Sequence, residues 1–141
     1  GNDPFNVKND IAAWQVLLDS DVPLTVGDSA VCLSHLQMTP EAAAEQFSGK
    51  TGSYIAEIFS SWVGTHGKIC KFVTGDERAW PVWDQVTTAH VLGLTSSQMY
   101  PRPRLQDDML FDHTDTGDQK VRWITAVEQE RLWAHFAALL I

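Results

Sequence analysis

The chain has 141 residues, of which 44% are hydrophobic and 20% are charged. This length and balance predict one globular domain with a modest core, residues 1–141, and exclude a disordered chain. The formal net charge is -8 and the basic residues are scattered, so the basic footprint that nucleic-acid binding requires is missing.

Neither a membrane span nor a targeting segment is recognisable in the sequence. No apolar run reaches the roughly 20 residues that a bilayer requires. The start Gly1-Asn2-Asp3-Pro4 lacks the basic residues and the apolar stretch of a signal peptide. We therefore expect a soluble protein with no membrane partner, in the cytoplasm in preference to the periplasm or the cell exterior.

The first part of the chain predicts the helix–strand unit of an α/β sheet. Asn9 or Asp10 can cap a helix whose apolar residues follow at helical spacing, and Ser20-Asp21 ends it. The β-branched run Val22–Val26 then predicts a strand. The following stretch, Ser29–Gln37, is ambiguous.

Two helices are expected next. Thr39-Pro40-Glu41 combines a capping residue, a first-turn proline and an acidic residue, which is typical of a helix start. A longer helix is predicted from Gly52 to about Val63, with Gly64 and Gly67 breaking it. The polar stretch Lys68–Ala79 is predicted to be mobile.

The last third predicts a strand hairpin and a C-terminal helix. Arg104–Phe111 and Lys120–Val127 have the composition of two strands joined by the polar tip Asp112–Asp118. The tip has neither the spacing nor the closing glutamate of an EF-hand calcium loop, so a solvated turn is the better interpretation. Glu128–Leu140 has the pattern of an amphipathic helix.

The isolated cysteines and histidines carry no recognisable motif. Cys32 and Cys70 lack zinc-type spacing, so each is expected to be a small buried apolar residue. His66 is the most interesting histidine, because it ends the aromatic helix near a predicted flexible loop. No nucleotide-binding glycine motif is present.

The run Trp80-Pro81-Val82-Trp83-Asp84 is the most distinctive stretch. Asp84 opens an apolar segment that predicts a helix to about Leu92, and an aspartate in that position usually caps the helix. The alternative is that Asp84 lies at the mouth of a site and Trp83 forms one wall. Composition and spacing leave both interpretations open. They also leave open an unrelated helical domain whose six tryptophans are core residues.

Three stretches together resemble the C-terminal half of the inosine–uridine-type nucleoside hydrolases, the nucleoside N-ribohydrolases. They are Pro4-Phe5-Asn6-Val7 with its helix and strand, then Leu36–Glu45, then Trp83-Asp84 where the family usually has His-Asp-Pro. The resemblance covers nearly the whole chain and rests on order and spacing. It implies an α/β fold, namely the second half of a mostly parallel open sheet flanked by helices, with the C-terminal hairpin and helix.

The resemblance also implies site residues. Asp84 matches the aspartate that binds the catalytic calcium, and Asn6 matches the asparagine that hydrogen-bonds the ribose hydroxyls. Trp83 replaces a histidine near the leaving base, where an aromatic ring can stack on the base. The other residues implied on the substrate side are Phe5, Phe59, Trp62 and His66.

Two departures from the family pattern bear on function. The family's glutamate before Phe-Asn is Pro4 here, with Asp3 one step away. The family's N-terminal Asp-x-Asp-x-x-x-Asp-Asp cluster, which supplies most calcium ligands and the general base, is absent from the sequence. Calcium takes six to eight oxygen ligands, so Asp84 alone cannot hold it.

The resemblance therefore implies part of a calcium-dependent enzyme that cleaves the N-glycosidic bond of ribonucleosides to ribose and free base. We expect the chain to be inactive alone and to contain no catalytic residue. The alternative is a non-catalytic α/β binding module that pairs with a second copy or a partner chain, because half a sheet exposes an edge and an apolar face. Whether the chain is an enzyme stays open at this point.

Overall fold

The computed structural model describes residues 4–114 and 118–140, which form a mixed α/β arrangement. Its helices are α1 (Pro4–Val7), α2 (Ile11–Asp19), α3 (Ser29–His35), α4 (Pro40–Gln46), α5 (Gly49–Thr74), α6 (Gln85–Val91) and α7 (Gln129–Leu139). Its strands are β1 (Leu24–Val26), β2 (Gln37–Met38), β3 (Trp80–Pro81), β4 (Thr95–Pro101), β5 (Arg104–Leu105), β6 (Phe111–Asp112) and β7 (Lys120–Val127).

Contacts between residues divide the chain into two compact units. The first contains the segment up to Val31 together with Ser96–Ala126, and the second contains Cys32–Thr95 together with the segment from Val127 onward. None of the helices within the described ranges is both long and apolar enough to cross a membrane.

The first unit begins with the predicted helix and strand. The Asp10 carboxylate accepts a hydrogen bond of 2.9 Å from Ala13 N and so caps α2, which confirms the predicted helix start. The helix ends at Ser20, as expected. Strand β1 is shorter than the predicted Val22–Val26, because only its last three residues pair with β7.

The sheet of the first unit has the order β1-β7-β4. Strands β1 and β7 are parallel. Arg102 N donates to Gln119 O at 2.9 Å, and the Arg122 guanidinium donates to Ser97 Oγ at 3.2 Å. The later residue of the β4 segment therefore contacts the earlier residue of the β7 segment, and the earlier contacts the later. Strands β4 and β7 therefore run antiparallel, and the mostly parallel open sheet is confirmed only for the β1–β7 pair.

The predicted C-terminal hairpin is wrong in its pairing. Strand β7 has the predicted bounds, but it pairs with β1 and β4 instead of the Arg104–Phe111 segment. That segment folds back on itself, because Met109 adopts a left-handed φ of 68° and Gln106 N bonds to Leu110 O at 2.9 Å. The result is the small antiparallel pair of β5 and β6. The middle of the predicted tip, residues 115–117, lies outside the described residues.

A buried arginine ties the elements of the first unit together. Arg102 is 3% exposed, and its guanidinium donates hydrogen bonds to four backbone carbonyls. These carbonyls belong to Leu18 at the end of α2, Ser20 and Val22 before β1, and Lys120 at the start of β7. One buried side chain thus links the end of α2, the segment before β1 and the start of β7 through their backbone carbonyls.

The second unit is built on α5, which is much longer than predicted. The predicted break at Gly64 and Gly67 is present as a kink at His66 between them, where the backbone leaves helical geometry. Beyond the kink, the stretch predicted to be polar and mobile is helical up to Thr74. The physical reason is burial, because one face of the helix packs its small and apolar residues inward on both sides of the glycines. Those residues are Gly52, Ala56, Val63 and Cys70.

Two further predictions for the second unit, the cap of α4 and the burial of the cysteines, are confirmed. Thr39 caps α4, its Oγ1 accepting from Ala42 N at 3.2 Å. Cys32 and Cys70 are both buried, and that burial raises the pKa of the Cys70 thiol. The ambiguous stretch after β1 is mostly helix α3.

Candidate functional site

The Trp80–Asp84 run is held by a short antiparallel strand pair. Strand β3 pairs with β2, so that Trp80 lies opposite Met38, and Val82 N donates to Leu36 O at 2.9 Å. Leu36 has no exposed surface, so this backbone bond is shielded from water. The run is therefore fixed against the segment that links α3 to α4.

The chain then turns directly into α6. The carbonyl of Trp83 accepts hydrogen bonds from Val86 N at 3.4 Å and from the buried Cys32 Sγ at 3.5 Å. These bonds hold the Trp83 backbone, and its indole is half-buried. The Trp83 side chain is thus partly exposed, while its main chain is fixed.

Four rings of the second unit form a continuous series of contacts. Trp62 and His66 are stacked, with centroids 4.4 Å apart and planes 14° apart. Trp62 also contacts Trp80 at 4.7 Å, and Trp80 contacts Trp83 edge to face at 5.7 Å. All four are half-buried, and we call them the aromatic surface. Phe59 lies on the same face of α5, three residues before Trp62, and is also half-buried.

Trp80 is the residue that sequence reasoning missed. The sequence assigns Trp80 no contact or role in the site, yet its ring contacts both Trp62 of α5 and Trp83 of the turn. The only signal in the sequence is that two tryptophans, Trp80 and Trp83, lie on either side of a proline and a valine. This spacing does not predict that the Trp80 ring contacts α5.

Asp84 occupies the N-cap position of α6 but does not cap it. Its backbone is helical, with φ of -72° and ψ of -13°, and its side chain makes no capping hydrogen bond. The interpretation of Asp84 as a helix cap is therefore wrong. The carboxylate is exposed, next in sequence to Trp83 of the aromatic surface.

The residues described here do not by themselves fit a calcium ion. Across residues 4–114 and 118–140, no group of three or more His, Cys, Asp or Glu side chains is placed to hold a metal. One exposed carboxylate falls far short of the six to eight oxygen ligands that calcium takes. At the start of the predicted tip the Asp112 carboxylate accepts a hydrogen bond from Thr114 N at 2.8 Å, which is a local turn contact.

The predicted ribose-side residues lie in the first unit. Asn6 and Phe5 are exposed residues of α1, and the Lys8 ammonium lies 5.1 Å from the centroid of the Phe5 ring. Asp3 precedes Pro4, which replaces the family's glutamate, and it lies outside the described residues. The roles of Asn6 and Phe5 stay predictions.

Comparison with solved structures places the fold. The chain is similar to a plant nucleoside hydrolase, the PpNRh1 enzyme, with a TM-score of 0.69 and 17% sequence identity. The match covers 96% of this chain and 46% of that one, so the chain spans about half the length of that structure. At this identity the likeness concerns the fold, and it confirms the nucleoside hydrolase-like fold that the sequence resembled. No family model matches the sequence, and a search of curated proteins found no match.

Replacing Asp84 tests the assignment of its carboxylate. In about 0.2 M salt, which screens its charge near the helix end, Asp84→Ala should change the free energy of unfolding by less than about 0.5 kcal/mol. Thr39→Ala removes a real cap in the same unit and should cost about 1 kcal/mol. Urea denaturation of the two variants measures both values. Equal losses would show that Asp84 caps α6 after all.

Proposed function

We propose that this chain forms the base-binding part of a nucleoside hydrolase, an N-glycosidase that converts ribonucleosides to ribose and free base. One observation carries the proposal. Trp62, His66 and Trp83, three residues that the family resemblance assigns to the base side, belong to one series of ring contacts through Trp80. The nucleoside hydrolase-like fold supports the same assignment.

The chemistry of the aromatic surface suits a nucleobase. Every base has a flat π-face, and stacking on an aromatic side chain is worth about 1–3 kcal/mol per base. Trp83 is half-buried, so part of its side chain is accessible to a ligand. Two hydrogen bonds to its carbonyl fix the main chain that carries the ring. In this proposal Trp83 is the residue on which the base stacks.

Bond cleavage needs groups beyond those of this chain. As the N-glycosidic bond breaks, its electron pair leaves with the base and positive charge builds on the ribosyl ring, much as in glycoside hydrolysis. We assign this chain the binding and orientation of the base. Asp84 would offer one ligand to a calcium ion whose other ligands, with the general base, come from the rest of a longer protein or from a partner chain.

Loss of the Trp83 ring should weaken nucleoside binding. We expect Trp83→Leu to lower the affinity for adenosine about ten-fold or more, because the stacking contact is removed. Isothermal titration calorimetry with the purified chain measures this. Phe72→Leu is the matched control, since Phe72 is 90% exposed and not among the aromatic surface residues. An unchanged affinity in Trp83→Leu would place the base elsewhere.

The purified chain alone should not turn over nucleosides. We expect no hydrolysis of inosine or uridine with calcium present, and no tight calcium binding, because one carboxylate cannot replace the ligand set that calcium needs. A coupled assay for released ribose and calorimetric titration with calcium check the two statements. Measurable hydrolysis would mean that the catalytic groups are complete within the 141 residues.

The α5 helix favours a second candidate function, an interaction module that associates with a second copy. Several large apolar side chains of α5 are exposed, and such surfaces commonly mark interaction sites. They are Tyr54, Ile55, Ile58, Ile69 and Phe72. Ile69 and Phe72 lie three residues apart and are therefore neighbours on the helix.

Self-association through α5 can be tested directly. Sedimentation at increasing concentration should show dimers, and the double variant Ile69→Ser with Phe72→Ser should be monomeric, because its apolar contact area is lost. The exposed Lys68→Ser on the same helix is the control and should behave as the unchanged chain. A monomeric chain at the highest concentration would contradict this second candidate.

A further inference from the structure

From Ser96 onward, strand β4 is an open edge of the sheet in the first unit. The strand order β1-β7-β4 gives it one neighbour, β7, within residues 4–114 and 118–140. The last four residues of the strand, Gln98–Pro101, are all exposed, so neither face of this half of the strand is covered. An edge of this kind presents unpaired backbone groups, on which another strand can form.

Hydrogen bonds at both ends of β4 show which of its backbone groups face β7. Arg102 N donates to Gln119 O beside the start of β7, and Leu94 O accepts from Glu128 N just after its end. Both bonds use even-numbered residues of the β4 segment, and successive backbone groups along a strand point to opposite sides. The even-numbered residues therefore face β7, and the odd-numbered residues face the open side.

Ser97 and Met99 are the odd-numbered residues in the middle of β4, so each directs an N–H and a C=O to the open side. No turn, loop or cap bond in the described part of the chain uses these groups. Pro101 ends the edge, because it has a carbonyl but no N–H. The strand has no charged residue, so it lacks the charged side chains with which protein edges commonly resist pairing.

A cation lies beside this edge. Arg122 of β7 is exposed, and its guanidinium donates to Ser97 Oγ at 3.2 Å, which places the charge at the edge strand. Among the described residues, no ion pair involves Arg122. Side chains directly opposite each other on antiparallel strands have Cβ atoms about 5 Å apart. A carboxylate opposite Ser97 on an added strand would therefore be within reach of the guanidinium.

We propose that the β4 edge binds an extended acidic segment of another protein, which adds a strand to the sheet and places a carboxylate opposite Ser97. Main-chain hydrogen bonds to Ser97 and Met99 hold the segment, and Arg122 selects its acidic residue. A second copy of β4 supplies no carboxylate, because the strand contains none. The inference uses no residue of the aromatic surface and does not depend on nucleoside binding.

A pair of synthetic peptides tests the charge. One dye-labelled peptide has about eight alternating threonine and valine residues with a central glutamate, and the other has glutamine in its place. Fluorescence anisotropy with the purified 141-residue chain measures both affinities. The glutamate peptide should bind about two- to five-fold more tightly, the worth of one exposed ion pair, and less so in about 0.5 M salt. In Arg122→Gln the two affinities should be equal.

A proline at position 99 tests the main-chain bonds. Met99→Pro removes an N–H that faces the open side and leaves the bonds to β7 intact, so both peptides should bind about ten-fold more weakly. Met99→Thr keeps the N–H and is the matched control. Thermal unfolding of the two variants shows whether the fold is kept. If Met99→Pro does not fold, peptides N-methylated at alternate residues should show the same loss with the unchanged chain.

The outcomes separate this inference from the proposed function. Absence of peptide binding, or equal binding by Met99→Pro and Met99→Thr, overturns the edge site. Equal affinity for the glutamate and glutamine peptides in the unchanged chain overturns the acidic partner, and dimers that Met99→Pro alone abolishes would assign the edge to a second copy instead. Adenosine should bind Arg122→Gln as it binds the unchanged chain, so a failure of nucleoside binding leaves this inference standing.

Discussion

The antiparallel pair of β2 and β3 is the constraint on which the candidate site depends. It sets Trp80 opposite Met38, and the bond from Val82 N to Leu36 O continues it to the start of the turn. Two-residue strands have little stability of their own. The pair persists because buried side chains surround it and because the Trp80 ring contacts Trp62 of α5. Strand pairing and ring packing therefore support each other.

Features set by neighbouring residues were predictable from the sequence. Asp10 and Thr39 cap their helices as predicted, because a cap needs only a side-chain oxygen and a backbone N–H three residues away. Asp84 shows the limit of that rule. Its type and place match a cap, but the turn fixed by the Trp83 carbonyl gives it helical backbone angles, and the side chain makes no capping bond.

Features set by distant residues were not predictable. A glycine inside a helix costs about 1 kcal/mol relative to alanine, which argued for breaks at Gly64 and Gly67. The structure has a kink at His66 between them, and burial of one face of α5 continues the helix beyond the kink to Thr74. Likewise β7 was correctly bounded, but β4 was not recognised, since most of its residues are exposed and show no apolar alternation. Pairing between distant strands leaves little trace in a single sequence.

The candidate site combines features that the sequence predicted with features that only the fold reveals. Family resemblance pointed to Trp62, His66 and Trp83, yet only the fold brings them into one series of contacts, and only through Trp80. A tryptophan at position 83 can stack on a base but cannot exchange a proton with it, as the histidine usual there could. The imidazole of this surface comes from α5, where His66 Nδ1 lies 2.8 Å from the carbonyl oxygen of Trp62. Stacking of a flat ring on these π-faces needs no metal ligand, whereas calcium takes six to eight oxygen ligands, and the described residues place no group of three or more His, Cys, Asp or Glu side chains to hold a metal.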